Sequence, residues 1–144
     1  MALTIRLLAE ADAPVLQQLL SWSPPPVPVS LDRCRAMLAH PGTLAVAALD
    51  QGRPVGLAVG YLLERPRGRA LYLHEIDVHP DFRRRGLAAG MLEFLKRHGR
   101  EQGLSRIFLF TNQENIPAME LYRKTGARRP NRDDVLFEYD LTGS

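Results

Sequence analysis

The chain has 144 residues, a hydrophobic fraction of 45% and a formal net charge of +3, which suit one globular domain over residues 1–144 and exclude disordered, collagenous and low-complexity classes. No apolar run approaches the ~18 residues that a membrane-spanning helix needs, and the opening MALTIRLLAEADAP has no basic segment followed by a long apolar one. A cytoplasmic protein with no membrane partner is expected.

The first predicted element is a strand, LTIRLL, followed by a helix, ADAPVLQQLLSW, with Asp12 near its start. The prolines of SPPPVPVS make the next stretch a stiff loop, because they exclude a regular ladder. LDRCRAMLAH reads as a second helix that stops before Pro41-Gly42. Within it the single cysteine, Cys34, shares a face with Leu31 and Leu38, as buried filler would, and no internal disulfide can form. Three strands follow, TLAVAALD, RPVGLAVGYLLER and RALYLHEIDV, with turns at Gly52 and at Pro66 to Gly68, so an antiparallel meander is predicted. From Leu87 the period changes to that of a helix: Leu87, Met91, Leu92 and Leu95 line one face, basic residues gather near its end, and Gly103 stops it. A buried strand RIFLFT, a helix NIPAMELYRKTG and a closing strand VLFEYDL complete the chain.

Between the third strand of the meander and the helix at Leu87 stands HPDFRRRGLAAGM. The unpaired amides of a helix's first turn point at whatever lies in front of them. A glycine and small residues there let an anion approach the backbone, the helix dipole favours negative charge, and arginines add charge-assisted hydrogen bonds. Arg83, Arg84, Arg85 and Gly86, with Leu87 and Ala88 behind them, therefore read as a phosphate or pyrophosphate site. The charge distribution agrees: residues 1–82 carry 7 Arg and Lys against 8 Asp and Glu, whereas residues 83–144 carry 12 against 8. Neither GxxxxGK[ST] nor GxGxxG occurs, so a nucleotide-hydrolysing loop and a dinucleotide fold lack support. Nucleic acid is not expected as a partner, since the preceding strand carries Glu75 and Asp77 instead of further cations or interleaved aromatics.

RRRGLA, residues 83–88, matches the [RQ]-x-x-G-x-[GA] signature of the GNAT acetyltransferases, with Arg83, Gly86 and Ala88 at the fixed positions. IDVHPDFRRRGLAAGMLEFL resembles that family's strand-turn-helix, and TNQENIPAMELYRKTGA resembles its second cofactor segment, with Asn115, Ala118, Leu121 and Tyr122 at the matching places. The resemblance covers residues 43 to 141. It implies acetyl-CoA as co-substrate, with the pyrophosphate on the 83–88 turn and the pantetheine arm lying as a pseudo-strand along Ile76, Asp77 and Val78, where a bulge splays the sheet. It also implies that the thioester carbonyl meets a backbone amide near Val78, which can stabilise an oxyanion.

Two side-chain roles follow. Tyr122 is the candidate proton donor to the departing thiolate, and Glu75 the candidate base or anchor of a water relay, with Asp77 as support. Glu75 and Asp77 alternate with Ile76 and Val78, so both carboxylates should share one face of the strand, with His74 on the other. No histidine pair has the spacing of metal ligands, and no metal is expected. The order of motifs resembles the aminoglycoside 3-N-acetyltransferase branch, which implies a small polycationic amine as acceptor, held by Glu75, Asp77, Asp133 and Asp134. The rivals are acetylation of a protein N-terminus or lysine, and a non-catalytic acyl-CoA-binding module. The expected fold is α/β: a mixed, mostly antiparallel, splayed sheet of six to seven strands flanked by about four helices. VLFEYDLTGS could supply an edge strand for a homodimer.

Overall fold

Turn chemistry and alternating small apolar residues build a meander first. In the computed structural model, which describes residues 3–22 and 28–142, β1 (Leu3–Leu7), β2 (Thr43–Asp50), β3 (Arg53–Arg65) and β4 (Gly68–Val78) pair in sequence order, each antiparallel to the next. Gly52 and Gly68 take the positive φ values, 80° and 126°, that the two tight turns require. α1 (Ala13–Leu20) and α2 (Leu31–Ala39) connect β1 to β2. The proline-rich loop expected from residue 23 has its residues 23–27 outside the described residues. After β4, α3 (Leu87–Glu101) crosses over and returns the chain to β5 (Arg106–Phe108), which pairs parallel to β4. α4 (Ile116–Lys124) follows.

Each face of the sheet has its own core. Leu87, Met91, Leu92 and Leu95 of α3 pack with Val46, Ala48, Leu71 and Leu73. On the other face Leu16 and Leu19 of α1 and Cys34 of α2 pack with Ala45, Ala47, Leu57 and Val59. Each fully buried leucine contributes on the order of 1.5–3 kcal/mol relative to exposure, so these side chains clamp β2 to β4 from both sides. Cys34 is filler, as its spacing suggested, and burial pushes its thiol pKa up.

The strand count differs from expectation. Five strands occur among the described residues, not six or seven, because VLFEYDL forms none. Its alternation favours a strand, but a strand also needs an edge to pair with, and residues 131–142 lie exposed. RIFLFT likewise yields only three paired residues, Arg106 to Phe108 against Ala70 to Tyr72. Beyond Tyr72 and Phe108 the ladder stops, and the two strands part company.

A register shift lies just past that point. Val59 pairs with Glu75, yet Gly60 pairs with Leu73, so His74 is an extra residue bulged out of β4. Gly60 makes this geometry possible: a Cβ there would lie 2.7 Å from Leu71 Cδ1 and 2.8 Å from the carbonyl oxygen of Tyr72. The bulge resets the alternation. Tyr72 faces Tyr61 and Glu75 faces Val59, so Tyr72, Glu75 and Asp77 stand on the same face, which uninterrupted alternation would forbid.

Candidate active site

The parting of β4 and β5 opens a cavity of about 230 Å3, lined by Leu73, His74, Glu75 and Ile76 from β4, by Leu109 and Phe110 beyond β5, and by Tyr122 from α4. Glu75 and Tyr122, expected to act together, thus share one cavity. His74 belongs there too, contrary to the expectation that it would point to the opposite face. The bulge is the reason: the His74 ring centroid lies 5.9 Å from that of Tyr61 and 5.7 Å from that of Tyr72, whose hydroxyl is 3.3 Å from Nδ1.

Electrostatics in the cavity follow from burial. Half-buried Glu75 has its carboxyl pKa raised, first by desolvation and further by the charge of Asp77, with His74 acting in the opposite sense. Desolvation also raises the Tyr122 phenol, which keeps its proton at neutral pH. Tyr61 is raised by burial, then by Glu75 and Tyr72. A stability prediction follows. Because the folded-state pKa of Glu75 exceeds the ordinary 4.5, folding disfavours its carboxylate; the cost vanishes in acid, where the group is protonated in both states, and is complete above the folded pKa. Glu75→Gln should therefore raise the melting temperature at pH 7–8, with the difference from wild type shrinking as pH falls through the raised folded pKa and nearly gone below 4.5. An equal gain at every pH would assign the effect to packing.

The amide of His79 donates to the carbonyl of Val55, 2.8 Å away. By the alternation of an antiparallel ladder, Ile76 and Val78 therefore turn their backbone groups to the opposite edge of β4, the one that β5 has left. At Val78 both groups have local partners. Its amide donates to Asp77 Oδ1 at 2.9 Å, and its carbonyl accepts from Arg83 Nε at 3.1 Å. Arg83 Nη2 and Asp77 Oδ1 are 3.6 Å apart.

The turn ahead of α3 is open. Gly86 caps the helix at φ 77°, and a Cβ there would meet nothing within 4 Å. Arg84 is left-handed as well, at φ 63°, a conformation that costs a non-glycine residue energy and clusters at functional turns. Arg85 stacks over Phe82, 5.0 Å from guanidinium carbon to ring centroid. Leu87 is buried and Ala88 half-buried. With free space before the first-turn amides and three exposed arginines, the residues present suit the diphosphate of a CoA thioester.

Asn115 is the N-cap of α4, its side chain accepting from the Ala118 amide at 3.2 Å, and so sets the start of the helix that carries Tyr122. Asp133 and Asp134 lie in the exposed stretch after α4; of the four carboxylates expected to hold the acceptor, only Glu75 is among the residues that line the cavity. Among the described residues no group of three His, Cys, Asp or Glu side chains could hold a metal ion, and no helix is long and apolar enough to cross a membrane. Sequence reasoning missed His74, Tyr61 and Tyr72; the signal that could have grouped them with Glu75 is the break of alternation at His74-Glu75, between Leu71 and Leu73 on one phase and Ile76 and Val78 on the other.

A family model described as the acetyltransferase (GNAT) family matches residues 8–127. An acetyltransferase of Pectobacterium atrosepticum is 33% identical over 87 residues, which are 60% of this chain and 59% of that protein. The matches span less than two thirds of the length of the curated relatives. Among solved structures, an aminoglycoside acetyltransferase from an uncultured soil metagenomic sample is 26% identical, with a TM-score of 0.82 and 100% of both chains covered. A ribosomal-protein-alanine N-acetyltransferase from Brucella melitensis is 25% identical, with a TM-score of 0.77 over 96% of this chain and 100% of that one.

Proposed function

The chain belongs to the GNAT acetyltransferase family, and on that premise we propose that it transfers an acetyl group from acetyl-CoA to a primary amine by direct attack of the amine. The observation that carries this reading is the parted β4 and β5 strands, with Glu75 and Tyr122 lining one cavity between them. Acetyl-CoA supplies the acetyl group as an activated thioester. The turn from Arg83 to Ala88 holds its diphosphate, while Ile76 and Val78 offer backbone donors and acceptors to its arm, with Asp77 and Arg83 giving way at Val78. Asn115 and Ala118 shape the start of α4 beside it. Glu75 receives the proton that the amine must lose, and Tyr122 donates one to the leaving sulfur.

The acceptor we propose is a small polyamine-like molecule such as an aminoglycoside, with acetylation at the 3-N position. The metagenomic aminoglycoside acetyltransferase supports it, as does a carboxylate at the cavity wall, which suits a cation. The Brucella enzyme, at nearly equal identity, favours a second reading, an α-amino group at a protein N-terminus; the apolar wall of Leu73, Ile76, Leu109 and Phe110 suits a peptide. The test is release of free CoA from acetyl-CoA over a panel of aminoglycosides, polyamines, amino acids and peptides, with the product mapped by mass spectrometry. Transfer to gentamicin-type aminoglycosides supports the first acceptor, transfer to peptides alone replaces it with the second, and binding of CoA without transfer to any amine leaves a non-catalytic acyl-CoA-binding module.

A homodimer belongs to this proposal. Val135, Phe137, Tyr139 and Leu141 alternate along an extended segment at exposures of 73–92%, while β5 stands at the sheet's end with exposed Phe110 just beyond it. Exposed alternating strands and open edges invite pairing, and a second copy offers both. Truncation after Arg132 should therefore convert a dimer into a monomer in light scattering; a full-length protein that is monomeric at micromolar concentration would show that the segment pairs, if at all, within its own chain.

A further inference from the structure

On the sheet face that carries Glu75 opposite Val59, the core under α1 and α2 takes side chains from β2 and β3 and none from β4 or β5. Aromatic rings stand on that outer half instead. Tyr72 of β4 and Phe108 of β5 stack with centroids 5.4 Å apart. Phe110 stands across both, 6.0 Å from Tyr72 at 67° and 6.3 Å from Phe108 at 88°. The three rings form a corner, and Phe110, 59% exposed, belongs to the same cavity wall as Glu75.

We infer that this corner is a second cation site for the acceptor: one amine enters the cavity beside Glu75 to be acetylated, while another, as an ammonium group, lies against the ring of Phe110. The inference rests on the small polycationic acceptor proposed above and deepens that reading, because it names what holds the charge that Asp133 and Asp134 were expected to hold. It makes Phe110 a specificity-determining residue, one that favours acceptors with a second amine over those with a single one.

Three observations carry it. Ring faces attract ammonium and guanidinium groups through their quadrupole, and this row already holds one cation: the Arg106 guanidinium carbon lies 4.6 Å from the centroid of Phe108. Phe110 has no such cation over it among the described residues, so its face is the free one. Second, the corner offers almost no hydrogen-bonding group, since the one polar atom of the three rings, the Tyr72 hydroxyl, stands 3.3 Å from His74 Nδ1. What the corner can recognise is therefore charge or apolar surface. Third, Glu75 stands on the same wall, and a carboxylate beside the rings complements a ligand of several positive charges. The rings rise from the face of the sheet, whereas the pairing proposed for a second copy uses the backbone edge of β5, so neither requires the other.

The test measures gentamicin binding to the CoA-loaded protein by calorimetry, which needs no turnover, in wild type, Phe110→Leu and Phe110→Trp. Leucine keeps apolar bulk and removes the ring face. The dissociation constant should then rise roughly two- to fivefold, the worth of one solvent-exposed cation–π contact. Tryptophan, whose ring attracts cations most strongly, should hold gentamicin at least as tightly as wild type does. Tightness falling in the order Trp, Phe, Leu is a signature that apolar packing would not give, and the melting temperature of each variant checks its fold. A Phe110→Leu protein that binds gentamicin as wild type does overturns the inference and leaves the corner as apolar surface. A wild-type protein that neither binds nor acetylates gentamicin instead removes the acceptor reading, and the cation site with it, so the two failures are told apart.

Discussion

Gly86→Val is expected to abolish acetyl-CoA binding, measured by calorimetry, while both cores stay folded. The residue stands at φ 77° at the mouth of α3, with nothing within 4 Å of where a Cβ would lie. That emptiness is the space a diphosphate needs to reach the first-turn amides, and an isopropyl group would fill it. A β-branched residue at positive φ also costs about 1–3 kcal/mol, against a typical domain stability of about 5–15 kcal/mol. The melting temperature should therefore drop by a few degrees without loss of the transition. Gly86→Ala should be intermediate in both respects. Unchanged affinity in the valine variant would remove the phosphate site from the account, and with it the arrangement of the whole cleft.

For Tyr122→Phe, kcat should fall by roughly 10²-fold or more, with little change in the dissociation constant of acetyl-CoA. The substitution keeps the ring against the core on the α3 side of the sheet and deletes only the hydroxyl. Burial raises the phenol pKa, so the group holds its proton at neutral pH, as the proposed donor must. A near wild-type rate would leave Tyr122 as a packing residue whose position on the cavity wall is incidental.

Much of the fold was legible because periodicity and punctuation agreed. Leu87, Met91, Leu92 and Leu95 announced the buried face of α3, and Gly52, Gly68 and Gly86 marked turns that the backbone confirms by their positive φ. Glu75 and Tyr122 were found from motifs, and the cavity contains both. What stayed hidden depends on pairing. In LYLHEIDV the apolar positions shift phase, from Leu71 and Leu73 to Ile76 and Val78, with His74 and Glu75 adjacent at the break; that break marks the extra residue, but which side chains it turns together follows only from the pairing with β3 and from what Gly60 admits. VLFEYDL has a strand's pattern but pairs with no strand among the described residues, and pattern cannot supply a partner. Asp133 and Asp134 were grouped with Glu75 and Asp77 from the resemblance and the charge of the acceptor it implies; they stand in the exposed stretch after α4, outside the lining of the cavity.

Gly60 holds a wider consequence for engineering. It is not among the residues that line the cavity, yet the space it leaves free lets β4 carry one residue more than β3, and thereby decides how His74 and Glu75 reach the cleft. Copying the tetrapeptide Leu73 to Ile76 into another scaffold would transplant the letters without the geometry. A library that randomises Gly60 as an inert strand position would shift the placement of His74 and Glu75 from a neighbouring strand. In a graft or a directed-evolution design, the glycine and the bulge it faces are best treated as one inherited unit, to be moved or kept together.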